Sequence, residues 1–299
     1  MNKGVQGVQG SRRSARTLAF VLHSLVFLCI SFSNSVQAQS VSDEFDFVMY
    51  LVGNGMKEEA VTAVNSTLLT GDSIDFAKGY AYYSARLLDS AVVSFDRVKS
   101  ASLLFNEAAL FSSLSNAHQG HYNLSADRLS SLTSADTATA NLLRYELAGV
   151  RLLQRDLGAF ESLMSQTDTS DYRLATEARD LWRVHDAIAA RGKRSPWVAG
   201  ALSAVVPGLG KVYAGNLGEG IASFLLTGSL IAITAENWIK ESPTNWKTIA
   251  AGLLSAVFYV GNIYGSVASV KINMNDFNHR NNVQILYDIH IPLRASYRH

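Results

Sequence analysis

The chain of 299 residues has one cysteine, Cys29, and this residue lies in an apolar segment near the N-terminus. If export removes that segment, the mature chain has no thiol, which excludes disulfide scaffolds, cysteine zinc sites and cysteine nucleophiles. Proline is also scarce: the chain has four prolines, and all of them follow residue 195. The formal net charge is only +1, so no overall field attracts nucleic acid, and nucleic acid is not expected as a partner.

Residues 1–38 show the order of a secretory signal. Three arginines precede an apolar run from Leu18 to Phe32, and small side chains at Val36 and Ala38 match the positions that a signal peptidase recognises. The run is too short to span a bilayer comfortably, which favours cleavage over anchoring. We therefore predict a signal peptide cleaved after Ala38. A twin-arginine signal is the less favoured alternative, since Arg12 and Arg13 are adjacent but no large apolar residue follows them.

The next segment, residues 39–192, contains an internal repeat. Small residues recur at spacings of 31, 34 and 34, and an apolar residue follows each of them four positions later. The small residues are Ala60, Ala91, Ser125 and Ala159, and the apolar ones are Val64, Phe95, Leu129 and Leu163. Positions i and i+4 share a helix face, so each unit presents the same stripe for packing against a neighbouring helix.

Turns are expected between the helices of each pair. Gly55 and Gly120 each precede the small residue by five positions, and Arg86 and Gln154 stand at the matching places. The segment resembles the tetratricopeptide repeat, whose small and aromatic positions these residues occupy. The resemblance covers about half of the chain and implies four stacked helix pairs with a groove that binds proteins. A non-repetitive helical bundle is the alternative.

Residues 193–271 are predicted to form a membrane module. The run from Thr248 to Val270 has 23 residues without a charge, enough to cross a bilayer core of about 30 Å. We predict transmembrane helices at about 217–239 and 248–270, packed as an antiparallel hairpin. Gly261, Gly265 and Ser269 recur every four residues, a stripe that favours close helix packing in lipid.

A glycine-rich motif stands directly before the hairpin. Pro207, Gly208, Gly210, Tyr213 and Gly215 match, one for one, the Pro-Gly-x-Gly-x-x-Tyr-x-Gly motif of small two-transmembrane-helix domains, and the module resembles that family. It departs from the family in having no Asp-Arg-Phe-type turn between its spans. A phosphate-binding loop is disfavoured, because no strand precedes the motif and no Lys-Ser/Thr pair closes it.

In the C-terminal tail, residues 272–299, apolar and polar residues alternate around 283–292, which predicts short strand-like turns.

Two signals conflict over topology. An export signal places the repeats in the periplasm of a two-membrane bacterial cell, with the hairpin in the inner membrane. Arg191, Lys193, Arg194 and Lys271 flank the hairpin on the repeat side, and the positive-inside rule would place that side in the cytoplasm. We favour the export signal, because large domains follow it largely regardless of charge.

The sequence thus predicts an all-α protein, a tetratricopeptide-like repeat array followed by a transmembrane helical hairpin, and no enzyme. No catalytic, cofactor-binding or metal-ligating set has supporting context, and His118 and His121 merely flank Gly120 in a predicted corner. The expected partners are proteins in the repeat groove and membrane lipid, and the hairpin offers a surface for a homo- or hetero-oligomer. The expected function is a membrane-anchored envelope scaffold or adaptor. An accessory subunit of a membrane transport or secretion assembly is the alternative.

Overall fold

The structure is a computed structural model that describes residues 40–296. The predicted signal peptide and its cleavage site lie outside this range. Within it the chain forms thirteen helices and no strands, which confirms the predicted all-helical class. The helices are α1 (40–53), α2 (Lys57–Ser66), α3 (Asp72–Ser84), α4 (Leu88–Phe95), α5 (Phe105–His118), α6 (Tyr122–Ser130), α7 (Thr137–Leu153), α8 (Leu157–Ser165), α9 (Tyr172–Ala190), α10 (Pro196–Val205), α11 (Leu209–Ala214), α12 (Leu217–Lys240) and α13 (Trp246–Ser296).

The chain divides into two compact units. Of the described residues, unit 1 contains 40–154, Gly158–Asp168 and 290–296. Unit 2 consists of Arg155–Leu157 and Thr169–Ile289. Helix α9, which the sequence analysis placed with the repeats, therefore belongs to unit 2.

Helices α1 to α8 form four consecutive pairs with a similar corner in each. The corner residues Gly55, Arg86, Gly120 and Arg155 all have left-handed backbone, with φ of 78°, 64°, 81° and 65°. In the first three corners the next N–H donates to the carbonyl five residues earlier at 2.9 Å, which satisfies a carbonyl at the helix end. In the fourth corner Arg155, not the predicted Gln154, takes the left-handed conformation, because that pair is displaced by one residue.

Local sequence explains where several helices begin. The carboxylate of Asp136 accepts a hydrogen bond from the Thr139 N–H at the start of α7, and Asp171 accepts one from the Arg173 N–H at the start of α9. These are N-caps, which satisfy backbone donors that have no partner within the helix. Helix α10 begins at Pro196, where the missing N–H of proline costs nothing.

Aromatic rings join the second and third helix pairs of unit 1. Phe95 stacks on Phe111 with ring centroids 5.9 Å apart, and Phe76 meets Phe95 edge-on at 5.6 Å. Tyr80 and Tyr83 each form a T-shaped contact with Phe111, with ring centroids 5.2 and 5.4 Å apart. The three phenylalanines are at most 1% exposed, so each contributes about 1.5–3 kcal/mol of apolar burial to this core.

The strand-like prediction for residues 283–292 is wrong, because α13 runs through them to Ser296. The alternating apolar residues divide between two surfaces. Ile285 and Ile289 are fully buried, whereas Val283 and Tyr287 are more than half exposed. Burial recurs every fourth residue through Leu293, which is the spacing of a helix face.

Two helices, α12 and α13, are long and apolar enough to cross a membrane by length and composition, and their apolar parts lie in unit 2. Helix α12 has 24 residues and rises about 36 Å. Helix α13 has 51 residues and extends well beyond the predicted span at 248–270. In their most apolar windows only 11% of α12 and 28% of α13 is buried, so most of this apolar surface faces outward.

Candidate functional site

The repeat-packing residues of the first three pairs are deeply buried. Ala60, Ala91 and Ser125 have no exposed surface, and Ser125 also hydrogen-bonds with Ser113 through its hydroxyl at 2.7 Å. In the fourth pair Ala159 is only half-buried. Phe160 and Met164 are the buried residues there, at 0% and 4% exposed, one position after the predicted Ala159 and Leu163. The same one-residue displacement moves the corner from Gln154 to Arg155.

An apolar groove lies between α1 and α2 in unit 1. Its volume is about 840 Å³, and Phe47, Tyr50, Met56 and Ala63 contribute apolar surface to it. Tyr50 is 63% and Phe47 51% exposed, which is unusual for two neighbouring aromatic side chains on a folded unit. Glu58 and Glu59 also line the groove. The arrangement suits an apolar segment with basic flanks.

A smaller cavity of about 100 Å³ in unit 1 has a polar lining. Its side chains include Lys57, Tyr80, Tyr83, Arg86, His290 and Arg294. Burial raises the pKa of Tyr83, whereas burial together with Arg294 and Arg86 lowers the pKa of His290 to about 4. At neutral pH the Tyr83 hydroxyl therefore donates to Nδ1 of a neutral His290, 2.6 Å away.

In unit 2 the motif glycines lie where backbones touch. A Cβ on Gly208 would be 2.1 Å from the carbonyl oxygen of Gly220, and a Cβ on Gly210 would be 1.9 Å from that of Ala199. Gly208 and Gly215 also have left-handed backbone, with φ of 89° and 102°. These positions require glycine for two reasons, because a side chain would meet neighbouring groups and, at Gly208 and Gly215, strain the backbone.

The two other motif residues complete this packing. Pro207 lies between Val206, the C-cap of α10, and the left-handed Gly208, where it prevents α10 from continuing into α11. Tyr213 packs against a small core of Ala199, Ala214 and Val270. Its hydroxyl accepts a hydrogen bond from the Ser195 N–H at 3.1 Å. The motif thus holds two short helices against α12 and α13.

A buried chain of hydroxyl groups joins the motif to α13. Ser203 Oγ accepts a hydrogen bond from the Gly210 N–H at 2.9 Å and lies 2.6 Å from Ser266 Oγ. Both serines have no exposed surface. Neither serine was predicted from the sequence. Their signal is the face shared by Asn262, Ser266 and Ser269, which places polar or small residues three and four apart.

The predicted packing stripe of α13 is divided between two environments. Ser269 is 7% exposed and belongs to the buried face. A Cβ on Gly265 would be 3.4 Å from the Lys211 side chain, while one on Gly261 would meet no atom of the described chain within 4 Å. Gly265 therefore leaves room for Lys211, whose ammonium donates to Ser223 Oγ at 2.8 Å. Gly261 faces an open surface.

Among residues 40–296, no three histidine, cysteine, aspartate or glutamate side chains converge as a metal site. His118 and His121 lie on either side of the third corner, and burial lowers the pKa of His118 to about 4. Compared with protein-family models, curated proteins and solved structures, the chain matches none of them.

Proposed function

We propose that this protein is a membrane-anchored scaffold or adaptor of the bacterial cell envelope. Its hairpin would hold it in the inner membrane, and its repeats would bind protein partners in the periplasm. The observation that carries this proposal is the outward-facing apolar surface of α12 and α13. Phe224, Leu225 and Ile231 on α12 are between 43% and 60% exposed. In water this surface would drive aggregation, whereas in lipid it needs no further partner.

The protein-binding part of the proposal rests on the repeated helix pairs and on the groove between α1 and α2. Consecutive pairs with equivalent corners and buried small residues resemble a tetratricopeptide array. Arrays of that kind bind proteins through their exposed grooves. The exposed Phe47 and Tyr50 provide rigid apolar anchors of the type that dominate binding energy at interfaces.

Site-specific photo-crosslinking in living cells tests this proposal. A photoreactive phenylalanine analogue at Tyr50 should give discrete adducts with a partner protein, and the same analogue at the exposed Arg97 should give none. A Met56→Lys change should remove the Tyr50 adducts, because it places a charge in the apolar groove. Equal labelling from Tyr50 and Arg97, or none from either, would contradict a binding role for the groove.

The alternative is an accessory subunit of a membrane transport or secretion assembly. The open surface at Gly261 favours it, since no atom of the described chain fills the space beside that residue. Small residues at such a surface allow close approach of a foreign helix. Crosslinks from Gly261 to another membrane protein, with none from Tyr50, would support the assembly subunit over the adaptor.

A further inference from the structure

A cavity in unit 2 lies at the end of the hairpin where α12 begins and the apolar part of α13 ends. Its volume is about 500 Å³, within the range of small-molecule sites. Arg191, Arg194, Gly215, Asn273 and Phe277 are among its lining residues. The cavity also contains Arg280 and a single acidic side chain, Asp276.

Arg191 is held in position by neighbouring groups, and Arg194 lies close to one of the motif glycines. Arg191 donates a hydrogen bond to the Asn273 carbonyl at 2.9 Å, and its guanidinium lies 3.8 Å from the centre of the Phe277 ring. Arg194 lies against Gly215, where a Cβ would be 2.7 Å from its Nη1. The left-handed motif glycine therefore makes space for this side chain.

The amide of Asn273 fixes another part of the cavity lining. The Asn273 side chain donates to the Ala214 carbonyl at 2.9 Å and to the Asn216 side-chain oxygen at 3.0 Å. These bonds connect α13 to the turn between α11 and α12. Arg191 and Asn273 in the cavity wall therefore have defined hydrogen-bond partners.

The arginines concentrate positive charge. Burial, and then the charges of Arg194 and Arg280, lower the pKa of Arg191. None of the three guanidinium groups forms an ion pair within residues 40–296. With Asp276 as the one acidic residue in the lining, the cavity has a net positive charge. An oxyanion between the arginines would relieve their repulsion.

The position of the cavity along the hairpin identifies the source of that oxyanion. Val270 is the last residue of the uncharged run of α13, and Lys271 follows it. Asn273 and Phe277 are therefore within about two helical turns of the end of the apolar surface. In an inserted hairpin this is the level of the lipid phosphates, which lie just outside the hydrocarbon core.

We propose that Arg191, Arg194 and Arg280 bind the phosphate of an anionic phospholipid headgroup. This inference rests on the membrane insertion proposed above. Guanidinium groups suit the site because their planar arrangement of donors can hold two phosphate oxygens at once. The headgroup of phosphatidylglycerol has a net negative charge, whereas the quaternary ammonium of phosphatidylcholine neutralises its phosphate. Phosphatidylglycerol should therefore bind better than phosphatidylcholine to the three arginines.

The test uses the full-length protein, delipidated in mild detergent and titrated with three probes: dioctanoyl phosphatidylglycerol, dioctanoyl phosphatidylcholine and inorganic phosphate. Native mass spectrometry or a thermal shift reports binding. Phosphatidylglycerol should bind preferentially, and Arg191→Gln and Arg280→Gln should each weaken its binding about fivefold. Arg280→Gln is the decisive variant because it keeps the contacts of Arg191 with Asn273 and Phe277. Lys271→Gln is the matched control, since it removes a positive charge at the same level without touching the cavity.

Three results would overturn the proposal. Equal binding of the two lipids would exclude charge recognition, and a loss with Lys271→Gln as large as with Arg280→Gln would indicate a diffuse field. Inorganic phosphate binding as tightly as the lipid would assign the cavity to a free oxyanion. Alkaline carbonate washing of cell membranes separates this failure from that of the proposed function. Release of the protein would contradict membrane anchoring, whereas retention without a lipid preference would contradict only the headgroup site.

Discussion

Gly210 packs so closely against Ala199 that a Cβ on the glycine would lie 1.9 Å from the alanine carbonyl oxygen. That oxygen belongs to the backbone of α10 and cannot rotate away. The same glycine donates its N–H to Ser203, so α10 and α11 are joined by one contact and one hydrogen bond within two turns. The central glycine of the motif is therefore a packing residue.

Gly210→Ala should destabilise the membrane module by about 1–3 kcal/mol, because the added methyl group forces two backbones apart. Gly218→Ala is the matched control, since a Cβ there would meet no atom within 4 Å and alanine favours a helix. Thermal melts of the detergent-solubilised protein should show a lower Tm for the first variant only. Equal Tm values for the two variants would contradict the close contact.

The register of the fourth helix pair can be tested by paired substitutions. Phe160→Ala should cost about 3–5 kcal/mol, because it empties a fully buried site. Ala159→Leu should cost little, since Ala159 is half-buried, whereas Ala91→Leu should cost about 1–3 kcal/mol by overpacking. Urea unfolding measures all three. If Ala159→Leu lowers the free energy of unfolding strongly and Phe160→Ala lowers it little, the buried position is Ala159, 34 residues after Ser125, as the sequence predicted.

The sequence predicted the helical class and the two long apolar helices because each depends on local composition and period. It placed three of the four corners correctly, since Gly55 and Gly120 mark two of them and the constant offset of five gives Arg86. Arg155 was not predicted, because the fourth pair is displaced by one residue and the constant offset of five gives Gln154 instead.

Other features depend on contacts between distant segments. Residues 283–292 fit both a strand period and a helix period, and only their burial pattern decides between them. Likewise, the bond between Ser203 and Ser266 joins residues 63 positions apart. The glycine motif was recognised from the sequence, but the contact that each glycine makes follows from the docking of α10 and α11 on the hairpin.

The cavity containing His290 should make stability depend on pH. The pKa of His290 is lowered from 6.5 to about 4 by burial and by Arg294 and Arg86. Between these two pH values the imidazole is protonated in the unfolded chain and neutral in the folded chain. The contribution of His290 to stability is therefore fully present above about pH 6.5 and is lost as the pH falls toward 4. His290→Gln should reduce the slope of the Tm profile between pH 4 and 6.5, and the slope that remains includes the contribution of His118, whose pKa burial also lowers to about 4. His279→Gln, an exposed site on the same helix, should leave the slope unchanged.

Asp288 should act in the opposite direction. Burial raises its pKa to about 7, reinforced by Asp180 and Glu177 and opposed by the hydrogen bond from Gln284. The folded state therefore binds a proton that the unfolded state releases near pH 4, and this contribution is lost as the pH rises through 7. Asp288→Asn should raise the Tm at pH 8 relative to wild type, whereas Asp89→Asn on the exposed surface of α4 should not. A lower Tm for Asp288→Asn at pH 8 would contradict the raised pKa.

Topology decides where partners should be sought, and reporter fusions distinguish the two models. A reporter active only in the periplasm is fused after Arg191, after Pro243 or after Arg298. If the export signal determines orientation, the first and third fusions are active and the second is silent, because two spans of opposite direction return the chain to its starting side. If the flanking positive charges dominate, only the second is active. We expect the first pattern, since large domains are translocated largely regardless of charge. Silence after Arg191 would place the repeats in the cytoplasm and contradict a periplasmic adaptor.

Activity at the first two sites with silence at the third would mean that the segment around Pro207 also crosses the bilayer. That outcome conflicts with the structure, in which Pro207 and Gly208 interrupt the helical backbone between α10 and α11 and would leave polar groups unpaired in lipid.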